Sequence, residues 1–198
     1  MKRRNFLILG VVLATFNGAG MADNSRFSSE HSTTELARLL VDEFTDWHRN
    51  LGEKGVIPLA FTGVTATGRQ AVLVLTGLPL DRIQRRQFLI WLCRKEEFVG
   101  YAYSTEVGIA GQDGAITEAL DIYGSSARLD VTKTLLIRRG SDGRISFLDD
   151  HEAALPPKSD NGPFFGLQRS AEVIPTRNED LFTNLWQEQK QKAMWRQR

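Results

Sequence analysis

Phe98-Val99-Gly100-Tyr101-Ala102-Tyr103-Ser104-Thr105-Glu106-Val107 is the stretch that decides the fold. Large or β-branched side chains alternate with small or polar ones at a period of two, the pattern of a strand with two unlike faces. Val99, Tyr101, Tyr103, Thr105 and Val107 are expected on one face, and Phe98, Gly100, Ala102, Ser104 and Glu106 on the other. Downstream, Gln112-Asp113-Gly114 reads as a turn, and a strand follows through Leu120, Asp121, Ile122 and Tyr123. Val131 to Arg138 and Arg144 to Leu148 flank Gly140-Ser141-Asp142-Gly143, a hairpin signal. Connections this short favour antiparallel pairing of neighbouring strands.

Upstream the period changes. Ser32-Thr33-Thr34-Glu35 reads as a capping box, and Leu36, Leu39, Leu40, Phe44, Trp47 and Leu51 follow at helical spacing until Gly52. Arg38, Asp42, Asp46 and Arg49 mark the solvated side of that helix. Ile57, Leu59 and Phe61 suggest a strand, with Pro58 placing it at an edge or delaying its start. After the turn Thr67-Gly68-Arg69, the apolar run Ala71 to Leu75 predicts a central strand covered on both faces. Asp81 caps a second helix from about Arg82 to Glu97, polar in its first half and apolar in its second. The order predicts an α+β fold: a largely antiparallel sheet of about six strands packed by two to three helices. It divides as an N-terminal signal peptide over 1–22, a polar leader over 23–31, the α+β domain over 32–152, and a loop with a C-terminal helix and tail over 153–198.

The chain begins with an address. Met1-Lys2-Arg3-Arg4 is basic, Phe6 to Phe16 is an apolar run, and Gly20-Met21-Ala22 offers small residues for cleavage after Ala22. That order describes a secretory signal peptide, and the expected location is periplasmic or secreted. Arg3-Arg4-Asn5-Phe6-Leu7 also resembles the twin-arginine export pattern, but residues 17–22 lack a basic group near the cleavage site, which favours the general route. A bilayer-spanning helix needs about 20 apolar residues, so no transmembrane segment is expected once the signal is removed.

Removing residues 1–22 takes three of the 25 basic residues and none of the 24 acidic ones, leaving a net charge of −2. That balance points away from nucleic acid as a partner. The lone cysteine, Cys93, lies in Leu89-Ile90-Trp91-Leu92-Cys93 and is expected in the core; an internal disulfide is impossible. His31, His48 and His151 lack the spacing of a metal site, and no metal ligand is predicted. Gly124-Ser125-Ser126 lacks the flanking small residues of a nucleophile elbow and reads as a turn. Glu106 and Asp121 lie on neighbouring strands, and a carboxylate pair would require them to face each other. Gly108-Ile109-Ala110-Gly111 has neither the spacing nor the following helix of a phosphate loop, so no cofactor is expected.

The tyrosines are the feature to follow. Tyr101 and Tyr103 share a face and Tyr123 lies on the next strand, an arrangement that serves cross-strand packing or an aromatic binding surface with Arg128 at its margin. Asn178-Glu179-Asp180 can cap a last helix carrying Leu181, Phe182, Leu185 and Trp186 on one side. The polar tail beyond it holds an isolated Met194-Trp195 pair, a combination enriched at interfaces. The expectation is a non-enzymatic, partner-binding or accessory protein of the cell envelope, meeting another envelope protein or a second copy of itself. A small hydrolase with a dispersed site is the competing expectation.

Overall fold

The computed structural model describes residues 35–197, apart from 54, 112–113, 159–161 and 192, and for 194–197 it describes the backbone alone. The expected signal peptide, the expected leader with His31, and Ser32 to Thr34 of the expected capping box lie outside the described residues. The elements run α1 (Leu36–Gly52), β1 (Ala60–Thr65), β2 (Arg69–Val74), α2 (Arg82–Lys95), β3 (Phe98–Ala110), β4 (Ile116–Ser126), β5 (Asp130–Arg139), β6 (Ile145–Leu155), α3 (Thr176–Lys190) and β7 (Met194–Gln197). They build one seven-stranded sheet in the order β6-β5-β4-β3-β1-β2-β7, every neighbouring pair antiparallel. The α+β expectation holds.

Both faces of the sheet carry helices, and alternation along the strands sorts the side chains between them. On one face α1 lays Leu36, Ala37, Leu40, Val41 and Phe44 against Ala102, Leu120, Ile122, Val131 and Leu135. On the other, α2 and α3 bring Phe88, Leu92, Cys93, Phe182 and Trp186 onto Phe61, Leu73, Leu75, Tyr101 and Tyr103. Gly124 lets α1 approach closely: a Cβ there would stand 2.4 Å from Val41 Cγ2 and 2.7 Å from the Ala37 carbonyl oxygen.

Several boundaries differ from the sequence reading, each for a local reason. α1 starts with Glu35 at the N-cap and no side-chain cap, so Glu35 is not at the third helical position. β1 does begin late, as Pro58 suggested, but it lies inside the sheet between β3 and β2, not at an edge. Asp81 caps α2 as expected: it accepts from Gln84 N at 2.8 Å, and the Gln84 side chain accepts from Asp81 N at 3.1 Å. β3 does not alternate strictly. Its register against β1 shifts between Val64 and Thr65, which pair with Gly100 and Phe98 and leave Val99 as an extra residue. This β-bulge turns Phe98 to the face of Tyr101 and leaves Val99 against the α1 layer, the reverse of the expected sides. Phe98 then lies over Gly63, where a Cβ would meet its ring at 2.5 Å.

β6 runs on to Leu155 although its second half is acidic, because β5 offers backbone partners as far as Asp130. β6 is an edge strand, and its register shifts between the partners of Thr134 (His151) and Leu135 (Asp149), leaving Asp150 as an extra residue. A bulge beside Asp149 and Glu152 hinders the addition of another strand to this edge. α3 begins at Thr176 after Pro175, ahead of the Asn178 cap position. The sequence reads the tail only as polar, with no strand in it; Met194–Gln197 nevertheless pairs with β2, Met194 against Val72 and Trp195 against Ala71. Truncation at residue 189 would therefore strip a strand from the sheet.

Candidate functional site: a half-covered sheet face

Tyr101 and Tyr103 stand on the α2–α3 face, as their alternation required, and the β3–β4 register brings Tyr123 beside them, but a strap formed by residues 162–174 crosses them. Tyr101 and Tyr103 are buried. Phe164 of the strap stacks on Tyr103 at 4.7 Å and tilts against Tyr123 at 5.7 Å, while Phe165 meets Tyr123 edge-on at 5.3 Å. The Tyr101 hydroxyl donates to the Phe164 carbonyl at 2.5 Å and accepts from Leu167 N at 3.2 Å. Burial, more than any other influence, raises the Tyr101 pKa far above the ordinary phenol value. Of the expected aromatic surface, only half-buried Tyr123 retains an open margin. Its hydroxyl donates to Asp121 Oδ2 at 3.0 Å, and burial followed by that carboxylate keeps it protonated. Arg128 is exposed in the β4–β5 turn, where its backbone N–H donates to Ser126 Oγ at 3.4 Å.

Sequence reasoning missed the residues that hold the strap down. Asp130 is fully buried at the start of β5, and Arg169 grips both its oxygens, with Nη2 at 3.1 Å from Oδ1 and 3.2 Å from Oδ2. Ser125 Oγ donates to Asp130 Oδ1 at 2.6 Å and receives Gly166 N, Arg169 Nη1 and Gln168 Nε2 at 3.1–3.3 Å. Arg169 Nη1 also donates to the Ser126 carbonyl. Ser125 is thus a buried structural donor, tied to a carboxylate on one side and crowded by donors on the other. From α2, Arg86 donates to the Pro163 carbonyl and pairs with Glu172, Gln87 donates to Glu172, and Arg94 donates to the carbonyls of Ser170 and Glu172. The legible signals were Phe164-Phe165 framed by Gly162-Pro163 and Gly166, and a polar first half of α2 that does more than face water.

Beyond the strap, the same sheet face is bare of described helices. The hydrophobic layer under α2 and α3 takes only Tyr123 from β4 and nothing from β5 or β6. The registers set the remaining side chains in rows, one residue per strand across β3, β4, β5 and β6. Thr105, Asp121, Thr134 and His151 form a polar row, in which Thr134 Oγ1 donates to Asp121 Oδ1 at 2.7 Å. Val107, Ala119, Leu136 and Leu148 form the next row, apolar throughout and ending at the β6 edge, where Leu148 is 40% exposed. Ile109 extends the apolar area along β3.

Comparisons with family models, curated proteins and solved structures found no match. Inference about this site rests on its own geometry.

The other sequence candidates separate in space. Glu106 pairs with Leu120 and Asp121 with Thr105, so the two carboxylates point to opposite faces and do not form an acid–base pair. His48 is buried under α1, and His151 is exposed on the opposite face, so a joint site is ruled out. Among the described residues no group of three or more His, Cys, Asp or Glu could hold a metal. No described helix is long and apolar enough to cross a membrane. The Met194 and Trp195 side chains lie outside the described residues.

Cys93 is buried in the α2–α3 layer, and burial pushes its thiol pKa far above the ordinary value. A thiol reagent is therefore expected to leave the folded protein unlabelled and to react once it is denatured. Cys93→Ala should lower stability by about 1–2 kcal/mol, read from urea unfolding. Rapid labelling of the native protein would contradict this assignment.

Proposed function

We propose that the protein is exported and acts in the cell envelope as a non-enzymatic binding protein, holding a partner protein against the uncovered half of its sheet. The observation that supports this reading is the apolar row of Val107, Leu136 and Leu148 around the buried Ala119, which spans four strands on a face with no described helix over it. Contiguous apolar surface bordered by polar side chains is the usual mark of a protein contact. The polar row of Thr105, Asp121, Thr134 and His151 supplies such a border. Export is supported by the basic, apolar and small-residue order of residues 1–22.

The two halves of the proposal are tested separately. Replacing Arg3 and Arg4 together by Lys should leave export largely intact, with a mature N-terminus at Asp23. Complete loss of export would favour the twin-arginine route, and an intact N-terminus in the cytoplasm would remove the envelope reading. For binding, a photoreactive side chain at position 148 in intact cells should give a discrete protein adduct that disappears when Leu136 is replaced by Glu. Both positions are at least partly exposed, so the Leu136→Glu variant is expected to keep its fold. The absence of any adduct from position 148 or 109 would refute the face as a binding surface.

A further inference from the structure

On the opposite side of the sheet, α1 covers its half of the core alone among the described helices, and it buries an imidazole with no partner. His48 has no exposed surface, and among the described residues neither ring nitrogen has a hydrogen-bond partner. It shares a helix face with Val41, Phe44, Thr45 and Gly52. Phe44 and Trp47 meet its ring edge-on, at centroid distances of 5.0 and 4.8 Å. The strands beneath this end of the helix contribute Leu135, Ile137, Ile145 and Phe147. A neutral imidazole can occupy such a site; an imidazolium, with two donors and no acceptor, cannot do so without moving.

The charged groups on the elements around α1 leave the ring alone. The helix itself carries Arg38, Asp42, Glu43, Asp46 and Arg49; Glu106 comes from β3, Glu118 from β4, Lys133 and Arg139 from β5, and Asp149 and Glu152 from β6. Arg49 binds Asp46 and Asp149, Lys133 pairs with Asp42 and Glu152, Arg38 with Glu152, and Arg139 with Glu118. None of them hydrogen-bonds to His48. Burial alone sets its protonation, lowering its pKa from 6.5 to about 3.

We infer that α1 is an acid-released cover: protonation of His48 drives the helix off the sheet and opens the apolar face beneath it while the α2–α3 layer stays folded. The two hydrophobic layers lie on opposite faces and share no buried residue, so one can open without the other. The sign follows from linkage. The docked helix binds the proton only near pH 3 and the released helix already near pH 6.5, so docking is strongest above that window and weakens as pH falls through it. Each pH unit within it multiplies the release equilibrium by about ten.

Hydrogen exchange on the full mature chain tests this. Protection factors of α1 amides, compared with those of α2, should fall about tenfold per pH unit below pH 6, while α2 stays protected to lower pH. In His48→Phe and His48→Gln, which cannot take up the proton, that dependence should be lost. Wild-type slopes in both variants would overturn the inference, as would simultaneous loss of protection in α1 and α2. The wild-type ring supplies a check that needs no variant. Its NMR signal should stay that of a neutral imidazole down to about pH 4 for as long as α1 is protected, and titration near pH 6 with α1 still protected would also overturn it. The partner-binding proposal concerns the other face and does not depend on this result.

Discussion

Replacing Arg169 by Met is expected to destabilise the protein by about 3–5 kcal/mol, because it leaves the Asp130 carboxylate charged, buried and short of its main partner. Attraction between the two ions is not the source of so large an effect, since the cost of removing them from water nearly cancels it. The loss comes from one side: Asp130 is fully buried and cannot regain water, and the Ser125 hydroxyl that also donates to it is neutral. Converting Asp130 to Asn in the Arg169→Met background should recover part of the loss, giving a non-additive double-mutant cycle. The strap should also loosen, so Phe164 and Phe165 would release Tyr103 and Tyr123. Urea unfolding combined with tyrosine accessibility in the native protein measures both effects. A loss below about 1 kcal/mol would mean that the pair behaves like an exposed salt bridge.

Gly124→Ala should destabilise by about 1–3 kcal/mol, although alanine in place of glycine ordinarily favours a strand. The added methyl group would stand 2.4 Å from Val41 Cγ2 and 2.7 Å from the Ala37 carbonyl oxygen. A side-chain clash can be removed by trimming the neighbour; a clash with backbone cannot. Val41→Ala combined with Gly124→Ala should therefore regain only part of what the two single changes together would cost, read as the shift of the urea midpoint. A stabilised Gly124→Ala variant would show that α1 can lift from β4 at little cost.

How much was legible depends on the range of the determining interaction. α1 and α2 were readable because helix formation repeats a local pattern: Leu36 to Leu51 recur on one face, and Asp81 with Gln84 closes a cap within four residues. The antiparallel hairpins after Phe98 were readable because their turns are short and punctuated by glycine. Failures began where one strand answers to another. The bulge at Val99 is decided by β1, whose register sets which residue of β3 goes unpaired, and nothing within Phe98 to Val107 marks it. β6 passed its predicted end because β5 was there to pair with, and β7 formed from a polar tail because β2 had a free edge.

The site follows the same division. Tyr101 and Tyr103 were assigned to one face correctly, because side-chain direction in a strand has a period of two and needs only the local chain; that Tyr123 joins them is set by the β3–β4 register. Whether that face was open or covered was not local information. Phe164 arrives from 61 positions beyond Tyr103, and Arg169 from 39 beyond Asp130. The sequence by itself determined one amphipathic helix, a second helix with its cap, and the alternation of the strands. Only the tertiary structure decided that half of the tyrosine face is roofed by the strap, that no described helix covers the other half, and that His48 is sealed with no hydrogen-bond partner among the described residues. Contacts between distant segments have no periodicity to be read, and they exist only once the sheet has brought those segments together.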